Sequence, residues 1–168
     1  MNKLTLKVLN YQENKTFCTI DGKPLQFKKD QKGQAICDFE TEQSSVEVKI
    51  CRYLEVNSPF YILWQLLFFF VSILGIFDKP ADRHCITLTY RATINLKEET
   101  FVKLKLNYLP SKKIGATVVE TDTQVMESEN VIWVDKNARK KVVLLRVLKI
   151  FIWVAFAFLI VFLIMNGS

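Results

Sequence analysis

The sequence predicts a mainly β protein: an antiparallel β-sandwich-like domain, interrupted by a membrane-inserting apolar helical segment and followed by a C-terminal transmembrane helix. Three observations carry that prediction. Short runs of alternating apolar and polar residues recur on both sides of the middle of the chain. Residues 60–77 hold no charged side chain, and residues 150–165 hold no polar one. The net charge of +6 is gathered beside the second of these apolar runs.

The first half of the β domain is expected over residues 1–58. Leu4, Leu6 and Val8 alternate with Lys3, Thr5 and Lys7, the period of a half-buried strand. Residues 16–20 read as a second strand, ended by Asp21-Gly22, whose tolerance of positive φ suits a tight hairpin. Leu25 and Phe27 resume the alternation beyond it. After the polar connection 28–33, Ala35, Cys37 and Phe39 recur at period two, and Val46, Val48 and Ile50 do so again. Five short strands in under sixty residues fit an antiparallel meander or half of a sandwich.

The second half is expected over residues 78–135. Its clearest strand places Ile86, Leu88, Tyr90, Ala92, Ile94 and Leu96 on one face. Val102, Leu104, Leu106 and Tyr108 repeat the pattern, residues 116–125 form a Thr- and Val-rich strand, and residues 130–135 a short apolar one. Glu127 and Glu129 read as a polar connection between the last two. The total comes to eight or nine antiparallel strands.

Residues 59–77 are read as an apolar membrane-associated helical insertion. As a helix, residues 60–77 would reach about 27 Å, close to the ~30 Å hydrocarbon core of a bilayer. Residues 150–165 are read as a transmembrane helix preceded by a basic juxtamembrane segment, 136–149. With only three residues after Met165, the arrangement resembles a tail anchor.

Charge follows the same division. Residues 1–58 balance to +1, residues 59–135 to −1, and residues 136–168 carry six basic side chains and no acid. Those six, Lys136, Arg139, Lys140, Lys141, Arg146 and Lys149, are the expected cytoplasmic flank of the span. A basic excess confined to one membrane flank argues against nucleic acid as a partner. The aromatics Trp64, Phe68, Phe69, Phe70, Trp153 and Phe156 are the expected membrane-embedded set.

Three topologies follow from two apolar runs. Both runs could span with residues 78–141 translocated, which opposes the positive-inside rule. Both could span with residues 1–58 exported. In the favoured arrangement, residues 60–77 re-enter or lie in the interface, and both β halves share the cytoplasmic side. Each half has one-sided strands whose apolar faces need covering, and about 60 residues is marginal for an independent core.

No catalytic or metal pattern emerges. His84 adjoins Cys85 without further ligands at metal spacing, no glycine-rich phosphate loop is present, and Asp38, Glu40 and Glu42 line a solvated strand face. Cys18, Cys37, Cys51 and Cys85 form no CxxC pair and are expected as reduced strand residues. No cofactor is expected. The reading is therefore a non-enzymatic binding or scaffold module on a bacterial cell membrane, its β domain cytoplasmic. Its expected partners are the lipid bilayer and either another protein or a second copy of the chain. The alternatives are an immunity or inhibitor protein against a membrane-active toxin, and an accessory subunit of a transport or secretion complex.

Overall fold

The computed structural model describes residues 1–13, 15–32, 34–52, 85–109 and 113–166, together with residues 54, 63 and 111. Residues 1–53 and 86–134 make one compact unit, and residues 54–85 with 135–168 make a second. The first unit is two five-stranded sheets. Among the described residues, the second contains one long apolar helix, α1 (Lys136–Asn166).

The strands are β1 (Asn2–Leu9), β2 (Thr16–Ile20), β3 (Lys23–Pro24), β4 (Lys28–Lys29), β5 (Ala35–Thr41), β6 (Ser45–Arg52), β7 (Ile86–Asn95), β8 (Glu99–Leu106), β9 (Ala116–Thr121) and β10 (Val125–Val134). One sheet has the order β4-β5-β1-β8-β9, the other β10-β7-β6-β2-β3. Alternation decides which face each strand buries. Ile86, Leu88, Tyr90, Ala92 and Ile94 are at most 2 % exposed, while every residue between them is partly exposed. Leu4, Leu6 and Val8 from one sheet and Val48, Ile50 and Leu88 from the other belong to a single buried cluster. The Asp21-Gly22 hairpin forms as its residues suggest. Both turn residues have positive φ, 48° and 77°, and Ile20 pairs with Lys23 across them.

Three expectations need correcting. The sheets are not wholly antiparallel, because β1 and β8 pair in parallel from Lys3↔Glu99 to Leu9↔Lys105. A period-two pattern selects a face but carries no information about the direction of the neighbouring strand. Next, residues 25–27 extend the hairpin by one bond only, from the Leu25 amide to the Cys18 carbonyl at 3.0 Å. They carry the chain from β3 in one sheet to β4 in the other, with Leu25 and Phe27 against the core. Finally, Glu127-Ser128-Glu129 is strand, not connection. β10 runs through it with a register shift between Glu127 and Glu129, and a bulge on an edge strand accommodates polar residues that a central strand would not. The count is ten strands among the described residues.

The halves of the sequence do not make one sheet each. Every sheet takes three strands from residues 1–52 and two from residues 86–134, joined at β1·β8 and at β6·β7. The β6·β7 pairing is continuous from Ser45↔Asn95 to Arg52↔Leu88. These strand pairs join the two halves directly, which is the contact that the shared-side arrangement calls for. The insertion expected over residues 59–77 lies outside the described residues.

The two sheets are stitched at one edge by a side chain. Asn130 on β10 donates its Nδ2 to the carbonyl of Ala116 and accepts the Ala116 amide on Oδ1, both at 2.9 Å. Ala116 is fully buried at the start of β9, so no water can replace either bond. Beside it, a Cβ on Gly115 would lie 2.8 Å from the Val131 carbonyl oxygen, which explains the glycine. Asn130→Ala is expected to cost about 2–4 kcal/mol, since it strands two buried backbone groups. Asn130→Asp, which keeps only the acceptor, should fall between it and the wild type in a denaturant series followed by tryptophan fluorescence.

Candidate functional site

β6 and β10 run in the same direction on either side of β7, which opposes both. Their register puts the last residue of β6 (Arg52, opposite Leu88), the first of β7 (Ile86) and the last of β10 (Val134, opposite Ile86) at one end of the sheet. This end, called the base below, is where the chain leaves the β unit and returns to it. Only Asp135 separates β10 from α1. Its amide donates to the Cys85 carbonyl at 2.9 Å, and its carbonyl accepts from the Arg139 amide at 3.0 Å. Its Oδ1 accepts from the Ala138 amide at 2.8 Å, so Asp135 is the N-cap of α1.

At 31 residues α1 is about 46 Å long, enough to cross a bilayer with a turn or more to spare. Only 6 % of its apolar window is buried. The basic flank and the apolar run are one uninterrupted helix. Lys136, Arg139, Lys140 and Lys141 are exposed in its first two turns, Arg146 is half-buried, and Lys149 is only 8 % exposed. Cations at a helix N-terminus oppose the macrodipole, so helix stability does not account for these four side chains. Trp153 is half-buried and meets the exposed Phe156 edge to face, ring centroids 5.8 Å apart. Trp64, Phe68, Phe69 and Phe70 lie outside the described residues.

The base also holds a cluster that sequence reasoning missed. The Arg52 guanidinium lies 4.9 Å from the Tyr108 ring centroid, within the range of a cation–π contact. The Tyr108 hydroxyl donates to the Asn10 carbonyl at 2.7 Å, and Asn10, in the left-handed region at φ 62°, donates its Nδ2 to the Leu106 carbonyl at 3.2 Å. Tyr11 donates to the Thr16 carbonyl at 3.0 Å and tilts against Phe27. Nothing local marks this group, since Asn10 and Tyr108 stand 98 residues apart. The residue just past a strand that tolerates positive φ, Asn10, was the one available signal.

The titratable side chains of the β unit that shift most are shifted chiefly by burial. Burial pushes the Cys18 and Cys37 thiols up, away from the thiolate. Burial likewise pushes the Tyr11 phenol up to about 12 and raises Tyr90 and Tyr108, the Glu127 charge adding to the shift at Tyr90. All four cysteines are thiols, Cys18 and Cys85 buried and the other two partly exposed. No group of three metal-ligating side chains exists among the described residues.

One carboxylate is moved the other way. Asp30 accepts from Lys7 Nζ at 2.6 Å on one oxygen and from the Lys32 and Gln34 amides at 2.8 Å on the other. The Lys7 hydrogen bond, then the amides, hold its carboxyl below the usual range. A carboxyl depressed by folding stabilises the fold above its unfolded pKa, and that contribution fades as pH falls through the folded value. Stability should therefore decline more steeply below about pH 5 in the wild type than in Asp30→Asn, as read from denaturation midpoints across an acid series.

Comparison of the chain with protein-family models, with curated proteins and with solved structures finds no match.

Proposed function

We propose that this protein is a non-enzymatic, membrane-anchored binding module that presents its two-sheet unit at the cytoplasmic face of a bacterial membrane. The observation that supports this most directly is α1, long and apolar all round, almost wholly uncovered, and one residue from the last strand. Such a surface exposed to water would drive aggregation, whereas lipid accepts it. The basic residues at the start of α1 favour the cytoplasmic side for the β unit. Its function is positioning: the helix holds the domain at the membrane while sheet edges and loops meet a partner protein.

The test is purification of the full chain. Retention in membranes after alkaline carbonate, with digestion of the β unit by protease only in inverted vesicles, is the expected result. A chain that stays monodisperse without detergent overturns the anchor. Digestion in right-side-out vesicles overturns the side. Replacing the four cysteines and His84 should leave the cellular phenotype unchanged, and a loss there would return the protein to the enzymes.

A second reading, an accessory subunit of a membrane complex, rests on Lys149. Lys149 is only 8 % exposed on a candidate span, and a charged residue at such a position marks a place for a counter-charge from a partner. Lys149→Leu should then abolish co-purification of that partner in mild detergent while leaving the chain in the membrane.

A further inference from the structure

The two ends of the β unit differ sharply in charge. Dividing each strand at its midpoint, with its adjoining loops, the base half of the described residues of the β unit carries ten Lys/Arg against two Asp/Glu. The far half carries four against ten, and Asp38 stands at the midpoint of β5. In sequence these charges are scattered, and the balance of the N-terminal portion is nearly neutral. Register sorts them. Lys7, Lys103 and Lys105 fall in the base half of their strands, while Glu40, Glu47 and Glu99 fall in the far half.

Apolar exposure follows the same axis. Leu109 and Ile114, in the base loop between β8 and β9, are 51 % and 50 % exposed. Val131 and Trp133, on the outward face of β10 where it reaches the base, are 40 % and 44 % exposed. The loop and the strand are contiguous, because Gly115 lies against the Val131 carbonyl. Lys113 is exposed within the same patch. Apolar side chains, a tryptophan and lysines on one surface have the composition of a face that sits among anionic headgroups.

We infer that the base of the β unit is itself a lipid-binding surface, which seats Leu109, Ile114, Val131 and Trp133 among the headgroups of anionic phospholipid while the acidic far end is repelled. The inference rests on the anchored reading above and adds the lipid class and the face that meets it. Two observations favour lipid over a protein as occupant. The chain leaves the unit at this end, one residue before the basic start of α1. The charge runs the length of the unit instead of forming a local patch, as attraction to an extended charged plane requires.

The test is hydrogen exchange on the full chain in nanodiscs of phosphatidylcholine, and of phosphatidylcholine with equimolar phosphatidylglycerol. Amides of residues 107–109 and 113–115 should exchange about tenfold more slowly in the anionic discs, the scale set by one or two lysine–headgroup attractions. Salt should remove the difference, and so should Lys29→Glu with Lys113→Glu, while amides of residues 42–44 and 122–124 stay unchanged throughout. Equal rates in the two lipids, in a chain that resists carbonate extraction, overturn the lipid face and leave the anchor standing. Extraction by carbonate overturns the anchor. Protection that follows the number of chains per disc, not lipid charge, assigns the face to a second copy and overturns the proposal.

Discussion

With Ala157 and Phe158 both replaced by arginine, the chain is expected to leave the membrane fraction. Each arginine near the centre of a span costs about 2.5–3.5 kcal/mol on an insertion scale, so the pair removes about 5–7 kcal/mol. That is roughly four to five orders of magnitude in partition. Both positions are exposed on α1, and Phe158 is 70 % exposed, so neither substitution disturbs packing among the described residues. Replacing the same two residues with leucine should leave the chain where it was. The measurement is the fraction of protein in the pellet after alkaline carbonate. A double-arginine chain that still pellets would mean that residues 136–166 are not what holds it there.

The second large effect is all-or-none. Single cysteines at Lys7 and at Lys97, in a background with Cys37 and Cys51 changed to serine, should be modified from the same side of the membrane by an impermeant reagent. Lys7 sits in β1, and Lys97 lies just before β8, which pairs with β1 along its length. Strand partners about 5 Å apart cannot be divided by a bilayer about 30 Å thick. Modification of one position alone from outside intact cells would require sheets other than these.

Much of this fold is legible in the sequence, and the legible parts share a cause. The strict alternation of β7 and of β1, the Asp21-Gly22 turn and the unbroken apolar end of α1 are set by residues adjacent in the chain. The illegible parts all depend on neighbours far away in sequence. The parallel β1·β8 pair looks like any other pair of alternating strands until their directions are known. The Glu127–Glu129 stretch reads as a loop because its place at a sheet edge, where a bulge and polar side chains are tolerated, is decided by the strands beside it. Arg52 and Tyr108 stand out only once β6 and β8 end at the same level.

The amino-acid sequence by itself determined that this chain is strand-rich, that one segment is too apolar for water, and that a basic flank precedes it. Those properties follow from local periodicity, composition and charge. Only the tertiary structure decided that both halves of the sequence share each sheet, that the chain leaves and returns at one end, and that lysines gather there while carboxylates gather at the other. Strand direction and register make those choices, and they are settled by long-range hydrogen bonding and by burial of a common core, which no short window of sequence contains.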